Sequence, residues 1–386
     1  MSNATLAWSL AFTISVAVLM LSDFNTITFP NEAAGQKQEN STSVLANNND
    51  TTITKANTPI NNNLINEGVS LLILRKYNEA LNLFDRVLAV DPNNTLALTN
   101  KGATLVYLRK YDEALGLFDK ALVIEPNNTS TLDSKGNVLA SLHKYNEALN
   151  LFDRVLAVDP NNAYALSLKG ISLAGLHKYN EALNLFDRVL VVDPNDVKTL
   201  TNKGNVLDTL GKHQEAISYY DKALAIEPND VVALENKGSA LDLMGRYNEA
   251  IVYYDKALTL DPRNADILYN KGVALGKLGN YTQAIQYYDR ALAIEPIYTG
   301  ALIGKGFALH QLGSNNQAIV YYDKALSIDP SNVDTLTNKG LALAALHKYG
   351  EAIKYYDEAL AIKPNLQYAI IGKRLSLAAL NQTRIK

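Results

Sequence analysis

The side chains that could carry acid–base or metal chemistry are five histidines and a large set of carboxylates. His143, His177 and His347 occupy one recurring position, while His213 and His310 stand apart from them. No histidine belongs to a His-Glu-x-x-His pair, the spacing that places two zinc ligands on one helix face. The acidic residues recur at fixed spacings, which indicates solvated helix faces rather than a convergent pair of carboxylates. We therefore predict no catalytic residues, no metal site and no cofactor.

Composition excludes several further classes of protein. The 386 residues include no cysteine, so a disulfide framework, a thiolate zinc site and a cysteine nucleophile are excluded. The 36 Lys and Arg residues are balanced by 39 Asp and Glu residues, and nucleic-acid binding needs a basic stripe. Ten of the 22 tyrosines form Tyr-Tyr pairs where other parts of the chain have Leu-Phe, which indicates core rather than a base-stacking platform. We predict no nucleic-acid partner.

The prolines reveal the organisation that must position every other side chain. Nine of the 11 recur every 34 residues, at positions 92, 126, 160, 194, 228, 262, 296, 330 and 364. A strict period of this length is typical of stacked structural repeats. With each of these prolines counted as position 32, residues 61–366 form nine repeats of 34 residues. The spacing predicts one solenoid rather than two or three globular domains.

Each repeat has the pattern of two amphipathic helices, because apolar residues step by three and four. Position 8 is Gly and position 20 is Ala in all nine repeats, which predicts that Gly on the first helix meets Ala on the second. Leu at positions 4 and 28 and an aromatic residue at position 24 are expected to fill the remaining space. Position 34 is Asn or Asp at seven boundaries, a helix N-cap. Position 15 is Gly in four repeats, a left-handed helix stop, and elsewhere Arg or His, expected to bind terminal carbonyls.

These residues resemble the tetratricopeptide repeat, as the unit VKTLTNKGNVLDTLGKHQEAISYYDKALAIEPND at residues 197–230 illustrates. The resemblance implies an all-α, right-handed superhelical solenoid of tandem antiparallel helix pairs. Two positions depart from the family pattern: position 4 is Leu rather than a large aromatic residue, and position 7 is Lys in eight repeats. For this Asn-Lys-Gly variant we expect a buried lysine stem whose ammonium pairs with the Asp at position 25 of every repeat, in preference to ligand binding.

Two segments flank the repeats. Residues 367–386 predict a C-terminal capping helix with Ile370, Leu377 and Leu380 on its apolar face, and with Arg374 at the glycine position. Residues 1–21 contain an uncharged stretch at 6–21, which is typical of a signal peptide or a membrane anchor. Residues 22–60 are rich in Asn, Thr and Ser, which predicts a disordered linker. We expect an extracytoplasmic location, secreted or membrane-anchored, with a cytoplasmic location as the alternative.

The resemblance also implies the function, because tetratricopeptide repeats typically hold an extended peptide or a partner helix in a concave groove. Position 6 of the first helix faces that groove, and its asparagines are similar to the asparagine ladder of O-linked N-acetylglucosamine transferases. The predicted peptide-binding residues are Asn66, Asn100, Asn202, Asn205, Asn236, Asn270 and Asn338. Ser134, Leu168 and Gly304 interrupt the row. We expect a scaffold with a protein or peptide partner; the alternative is a structural repeat protein that forms homo-oligomers through end or groove contacts.

Overall fold

The computed structural model describes residues 59–385, and this part of the chain is helical without β-strands. It divides into two compact units, residues 59–226 and 227–385. The first unit contains α1 (Pro59–Ile73), α2 (Tyr77–Val90), α3 (Thr95–Tyr107), α4 (Tyr111–Ile124), α5 (Thr129–Ser141), α6 (Tyr145–Val158), α7 (Ala163–Gly175), α8 (Tyr179–Val192), α9 (Val197–Thr209) and α10 (His213–Ile226). The second contains α11 (Val231–Leu243), α12 (Tyr247–Leu260), α13 (Ala265–Lys277), α14 (Tyr281–Ile294), α15 (Thr299–Gln311), α16 (Asn315–Ile328), α17 (Val333–Ala345), α18 (Tyr349–Ile362) and α19 (Gln367–Ile385).

The odd-numbered helices from α1 to α17 are the first helices of the repeats. Each of them packs against the even-numbered helix that follows it. Within each unit, successive pairs stack on one another. None of the helices between residues 59 and 385 has both the length and the apolar character of a membrane span. The predicted leader and linker, residues 1–21 and 22–60, lie outside the described residues except for the start of α1.

The predicted N-caps are confirmed at all seven boundaries that carry Asn or Asp. In each case the side-chain oxygen accepts a hydrogen bond from the backbone N–H three residues later, as between Asn128 and Thr131 at 3.0 Å. The capping residues are Asn94, Asn128, Asn162, Asp196, Asp230, Asn264 and Asn332. These bonds satisfy donors that would otherwise be orphaned at the helix start. The register predicted from the prolines therefore holds through both units.

The turn inside each repeat is left-handed whether or not position 15 is Gly. Gly211, Gly245, Gly279 and Gly313 have φ angles of 75° to 79°. Arg75, Arg109, His143, His177 and His347 adopt φ angles of 58° to 61° at the same position. Nδ1 of His143, His177 and His347 pairs with the hydroxyl of the tyrosine two residues later, at 2.7–2.8 Å. The turn thus imposes the backbone conformation on residues with a Cβ, at a cost in strain.

The partner of the position 8 glycine is the aromatic ring at position 24, not the predicted alanine. A Cβ placed on Gly102 would lie 2.6 Å from Phe118 Cε1, and one on Gly204 would lie 2.5 Å from Tyr220 Cε1. Both rings are essentially inaccessible to solvent. Ala at position 20 is also buried throughout, but the glycine is required because the ring lies directly against the backbone of the first helix.

The predicted lysine–aspartate pairing is confirmed, and the aspartate belongs to the preceding repeat. Lys101 pairs with Asp85 at 2.5 Å, and the same pairing recurs along each unit. The other pairs are Lys135–Asp119, Lys169–Asp153, Lys203–Asp187, Lys271–Asp255, Lys305–Asp289, Lys339–Asp323 and, on the capping helix, Lys373–Asp357. In the last repeats the ammonium also donates to the hydroxyl of the tyrosine at position 23, as in Lys339 to Tyr355 at 2.6 Å. That tyrosine is half-buried rather than core, whereas the one at position 24 is buried.

The capping helix α19 forms as predicted, but its packed face is not the predicted one. Ala369 is fully buried, and a Cβ on Gly372 would lie 2.6 Å from Tyr356 Cζ, so small residues carry the contact. Ile370 and Leu377 are 36% and 41% exposed, and Leu380 is half-buried. In the repeats, the face equivalent to the one that carries Ile370 and Leu377 is covered by the repeat's own second helix. No such helix follows α19 within the described residues.

Candidate functional site

Each first helix presents a face that its neighbours leave accessible. This open face consists of positions 2, 5, 6, 9, 12 and 13, which lie on one side of a helix because they step by three and four. Most of these residues are half-buried or exposed, whereas positions 3 and 4 are largely buried. Hydroxyl contacts such as Thr99 Oγ1 to Thr131 Oγ1, at 2.7 Å, hold consecutive first helices side by side. The open faces within a unit are therefore adjacent.

In the first unit the predicted asparagines lie on α1, α3 and α9. Asn66 is exposed, and Asn202 is half-buried with no side-chain hydrogen bond among the described residues. Asn100 donates its Nδ2 to the carbonyl of Leu96 at 2.9 Å, which leaves its side-chain oxygen available. Asn205, at position 9, accepts a hydrogen bond from the Tyr220 hydroxyl at 2.8 Å, so only its amide donors remain.

In the second unit the predicted asparagines lie on α11, α13 and α17. Nδ2 of Asn236 is fully buried and has no hydrogen-bond partner among the described residues. Asn270 donates to Glu235 Oε1 at 3.4 Å, again leaving an oxygen available. Asn338 is only 4% exposed, so its side chain offers little contact area to a partner. Asn236 and Asn270 are thus the two predicted residues on neighbouring first helices of this unit whose amide groups remain uncommitted in part.

The interruptions of the row differ in their effect. Ser134 keeps a hydroxyl on the open face, although it donates to the carbonyl of Ser130 at 2.8 Å. Leu168 packs against the hydrophobic core of its unit. At Gly304 a Cβ would lie 2.7 Å from Tyr288 Cζ, so a tyrosine of the preceding repeat occupies the space where an asparagine would stand. The row is therefore broken for packing reasons at Gly304.

Sequence reasoning missed a group of acidic and aromatic residues on the open face of the second unit. Asp266 accepts a hydrogen bond from the Tyr298 hydroxyl at 2.7 Å, and the Tyr298 ring lies 5.1 Å from that of Tyr269. Burial, together with the neighbouring carboxylates of Asp266 and Asp261, raises the pKa of Glu235 to about 7. The sequence contains one signal for this group, because Tyr298 replaces the Asn or Asp that caps other first helices.

Asp242, on α11, belongs to the same group. Burial raises the pKa of Asp242 to about 6 even though the Lys277 ammonium lowers it. Its Oδ1 is fully buried and has no hydrogen-bond partner among the described residues. A buried polar atom without a partner carries a desolvation penalty, so this carboxyl is held in a costly environment.

The first unit also contains a solitary carboxyl at position 5 of α5. Asp133 is 7% exposed, and its Oδ1 has no hydrogen-bond partner among the described residues. Burial raises the pKa of Asp133 to about 7. On α9, by contrast, Asp208 is satisfied by the His213 ring, whose Nδ1 lies 2.7 Å from its Oδ1.

Models of known families match most of the repeat region. Those described as tetratricopeptide repeat match residues 65–129, 139–203, 197–230, 219–252, 265–298 and 333–366. One described as TPR repeat matches residues 238–279 and 306–347. No protein with a curated function matches the chain.

Solved structures similar to the chain are also built from such repeats. The APC/C hetero-tetramer Cut9-Hcn1 is 20% identical with a TM-score of 0.59, over 78% of this chain and 59% of that one. A tetratricopeptide repeat protein from Parabacteroides merdae ATCC 43184 is 19% identical with a TM-score of 0.54, over 65% of this chain and 100% of that one. At these identities the likeness shows the fold. YrrB, described as a TPR protein with an unusual peptide-binding site, is 26% identical with a TM-score of 0.42, over 49% of this chain and 97% of that one.

Proposed function

Because this chain belongs to the tetratricopeptide repeat family and is built as a protein-interaction scaffold, we propose that it captures an extended peptide segment of its partner on the open face of the first helices. The observation that carries this proposal is the pair Asn236 and Asn270 on the neighbouring helices α11 and α13. A primary amide offers an acceptor and two donors, so it can bind a backbone amide without reading the side chain. Capture would therefore tolerate many partner sequences.

The spacing of packed helices suits an extended partner. Packed helices lie about 8–10 Å apart, so equivalent positions on neighbouring first helices are spaced by roughly 10 Å. An extended peptide rises about 3.3 Å per residue, so one asparagine meets about every third residue of the peptide. Asn66, Asn100, Asn202 and Asn205 offer the same chemistry on the first unit, and Asn338 a buried version of it on α17.

The test is a selection of random 12-residue peptides displayed on phage against the full chain, followed by affinity measurements on an enriched peptide. The double variant Asn236→Ala/Asn270→Ala should bind that peptide about tenfold more weakly, because two backbone hydrogen bonds contribute about 0.5–1.5 kcal/mol each. The matched control is Asn248→Ala/Asn316→Ala, which removes two exposed asparagines from α12 and α16. Equal affinity of the double variant and the control would refute capture by the asparagines.

We also propose that the scaffold is held outside the cytoplasm. The support is the uncharged stretch at residues 6–21 followed by the Asn-, Thr- and Ser-rich residues 22–60. Cells that produce the full chain should show it in the membrane or secreted fraction, and Val16→Asp/Leu19→Asp should move it to the cytoplasm. An unchanged distribution would count against a role for this stretch.

Self-association is a second candidate function, and the exposed apolar residues of α19 favour it. Ile370, Leu375 and Leu377 are 36%, 40% and 41% exposed on the last described helix. A second copy of the chain could cover them. Light scattering of the full chain distinguishes the two candidates, since a monomer at micromolar concentration would eliminate self-association and leave peptide capture intact.

A further inference from the structure

The open face is more acidic than the rest of this nearly neutral chain. Over the nine repeats its positions hold six acidic residues against two lysines, a formal balance of −4, while the whole chain has a net charge of −3. The acids are Asp133, Asp208, Glu235, Asp242, Asp266 and Asp334, and the lysines are Lys198 and Lys277. The lysines at position 7 are paired with aspartates away from this face. An uneven distribution of this kind attracts a partner of opposite sign.

In the second unit the acids are concentrated around Glu235, and the Lys277 ammonium acts on Asp242. Glu235 makes no ion pair among residues 59–385, and its polar partner is Asn270 at 3.4 Å. The charged groups that raise its pKa are the carboxylates of Asp266 and Asp261. Asp266 itself is bound to the neutral Tyr298 hydroxyl at 2.7 Å.

Aromatic rings line the same place. The Tyr269 ring lies 5.1 Å from the Tyr298 ring and 6.1 Å from the Tyr288 ring. No hydrogen bond of the Tyr269 hydroxyl occurs within the described residues. Tyrosine faces attract an ammonium or guanidinium within about 6 Å, and neighbouring carboxylates strengthen that attraction. Tyr288 is buried, whereas Tyr269 and Tyr298 are half-buried, so the acidic oxygens beside these two rings are suited to a cationic side chain.

The repeats provide an internal control for these residues. The repeat pattern places Asn or Asp at position 34, yet Tyr298 stands there and α15 begins without a side-chain cap. Loss of a cap typically costs about 1 kcal/mol. Asp242 Oδ1 and Asn236 Nδ2 are buried on the same helix without hydrogen-bond partners among the described residues. The missing cap and the unpartnered atoms do not add to fold stability. A ligand that donates hydrogen bonds and carries positive charge would suit the Asp242 oxygen, and a backbone carbonyl of the ligand would suit Asn236 Nδ2.

We propose that the open face formed by α11, α13 and Tyr298 binds a lysine or arginine side chain of the captured segment, with Glu235 and Asp266 as its carboxylate partners and Tyr269 and Tyr298 as its aromatic wall. This assignment rests on the proposed capture of an extended segment and specifies its chemistry. The first unit carries a single comparable carboxyl on α5, Asp133, which is 7% exposed and whose Oδ1 is unpartnered within the described residues. The partner is thus a basic extended segment.

The site predicts that binding releases protons. Glu235, with a pKa of about 7, is partly protonated at neutral pH, and a bound cation favours the charged carboxylate. At pH 7 this releases up to about half a proton from Glu235, which calorimetry in two buffers of different ionisation enthalpy measures. The charged groups that face Glu235 are Asp261 and Asp266, and Lys277 faces the neighbouring Asp242. Substitution of these groups should therefore change the number of protons released.

The experiment uses the phage-displayed peptides selected on the full chain, sequenced and compared with the unselected library. Lys and Arg should be enriched, and replacement of the critical basic residue of an enriched peptide by citrulline or glutamine should weaken binding about tenfold. Glu235→Gln should cause a similar loss and abolish the proton release. Glu358→Gln, which removes the same charge from an exposed site on α18, is the matched control and should leave both unchanged.

The outcomes separate this inference from the proposed function. Peptides that depend on Asn236 and Asn270 but show no basic enrichment, and that bind Glu235→Gln as well as the unaltered chain, would overturn the cation site and leave peptide capture in place. Selection that enriches no peptide would overturn both. Basic enrichment that responds equally to Glu235→Gln and Glu358→Gln would show a general charge effect and refute the assigned site.

Discussion

Substitution of alanine for glycine should have opposite effects at Gly204 and Gly116, although both lie inside helices of the first unit. At Gly116, on α4, a Cβ would meet no atom within 4 Å. Ala is favoured over Gly in a helix by about 1 kcal/mol, so Gly116→Ala should stabilise the protein by that amount. At Gly204, on α9, the same atom would lie 2.5 Å from Tyr220 Cε1.

The magnitude at Gly204 follows from how little Tyr220 can move. Carbon atoms in contact prefer about 3.5–4.0 Å, so the ring must retreat by about 1 Å. Tyr220 is 1% exposed, and its hydroxyl is held by Asn205 at 2.8 Å. Overpacking of this kind costs about 1–3 kcal/mol, from which the helix preference of Ala subtracts about 1 kcal/mol. Gly204→Ala should therefore destabilise by up to about 2 kcal/mol.

The assay is urea denaturation of the full chain followed by circular dichroism, with hydrogen exchange of α9 and α10 as the local readout. Gly204→Ala should accelerate exchange in these two helices, and Tyr220→Leu should relieve part of the added strain in a double-mutant cycle. Equal stabilisation by Gly204→Ala and Gly116→Ala would refute the contact between glycine and ring on which the packing of every repeat depends.

Three further variants test local features of the first unit. Burial raises the pKa of Asp133 from 3.8 to about 7, so the folded state binds more protons between these values, and the free energy of unfolding should fall as pH rises from about 4 to 7, by at most about 1.4 kcal/mol per pH unit. Asp133→Asn should flatten that slope in urea titrations, and an unchanged slope would show that another group causes it. Arg109 has a φ of 58°, so Arg109→Gly should raise the melting temperature by relieving up to about 1 kcal/mol of strain, whereas Gly211→Arg should lower it. A lower melting temperature for Arg109→Gly would contradict the left-handed turn.

Features that depend on position along the chain could be predicted from the sequence. The prolines and caps define helix ends through local backbone chemistry, which is why Asn128 caps α5 and the register held. The pairing of Lys101 with Asp85 was also predictable, because a buried lysine stem requires a partner for its ammonium.

Contacts across helices could not be predicted in the same way. Periodicity shows which face of a helix is buried but not which residue lies opposite, so Gly204 was paired with an alanine instead of the Tyr220 ring. On α19 the pattern predicted that Ile370 is packed. In the repeats, the equivalent face of the first helix is covered by the second helix that follows, and Ile370 is exposed on α19.

The residues of the candidate site also differ in whether the sequence alone could predict them. The asparagines were predictable because they recur at position 6, as Asn236 and Asn270 do. The ring of Tyr298 departs from the Asn or Asp of position 34, whereas Glu235 stands at position 5, which varies among the repeats. Both were missed because their proximity to Asp266 arises only when neighbouring first helices pack. In a repeat protein, a departure such as Tyr298 is the sequence signal to examine first.

The central claim is that a partner segment lies on the open face of the first helices. An enriched peptide that carries a photoreactive diazirine residue, cross-linked to the full chain and mapped by mass spectrometry, tests this claim most directly. Cross-links to open-face residues of α11 and α13, including Asn236 and Asn270, are the predicted result. Cross-links confined to the second helices α12 and α14, or to the exposed face of α19, would contradict it.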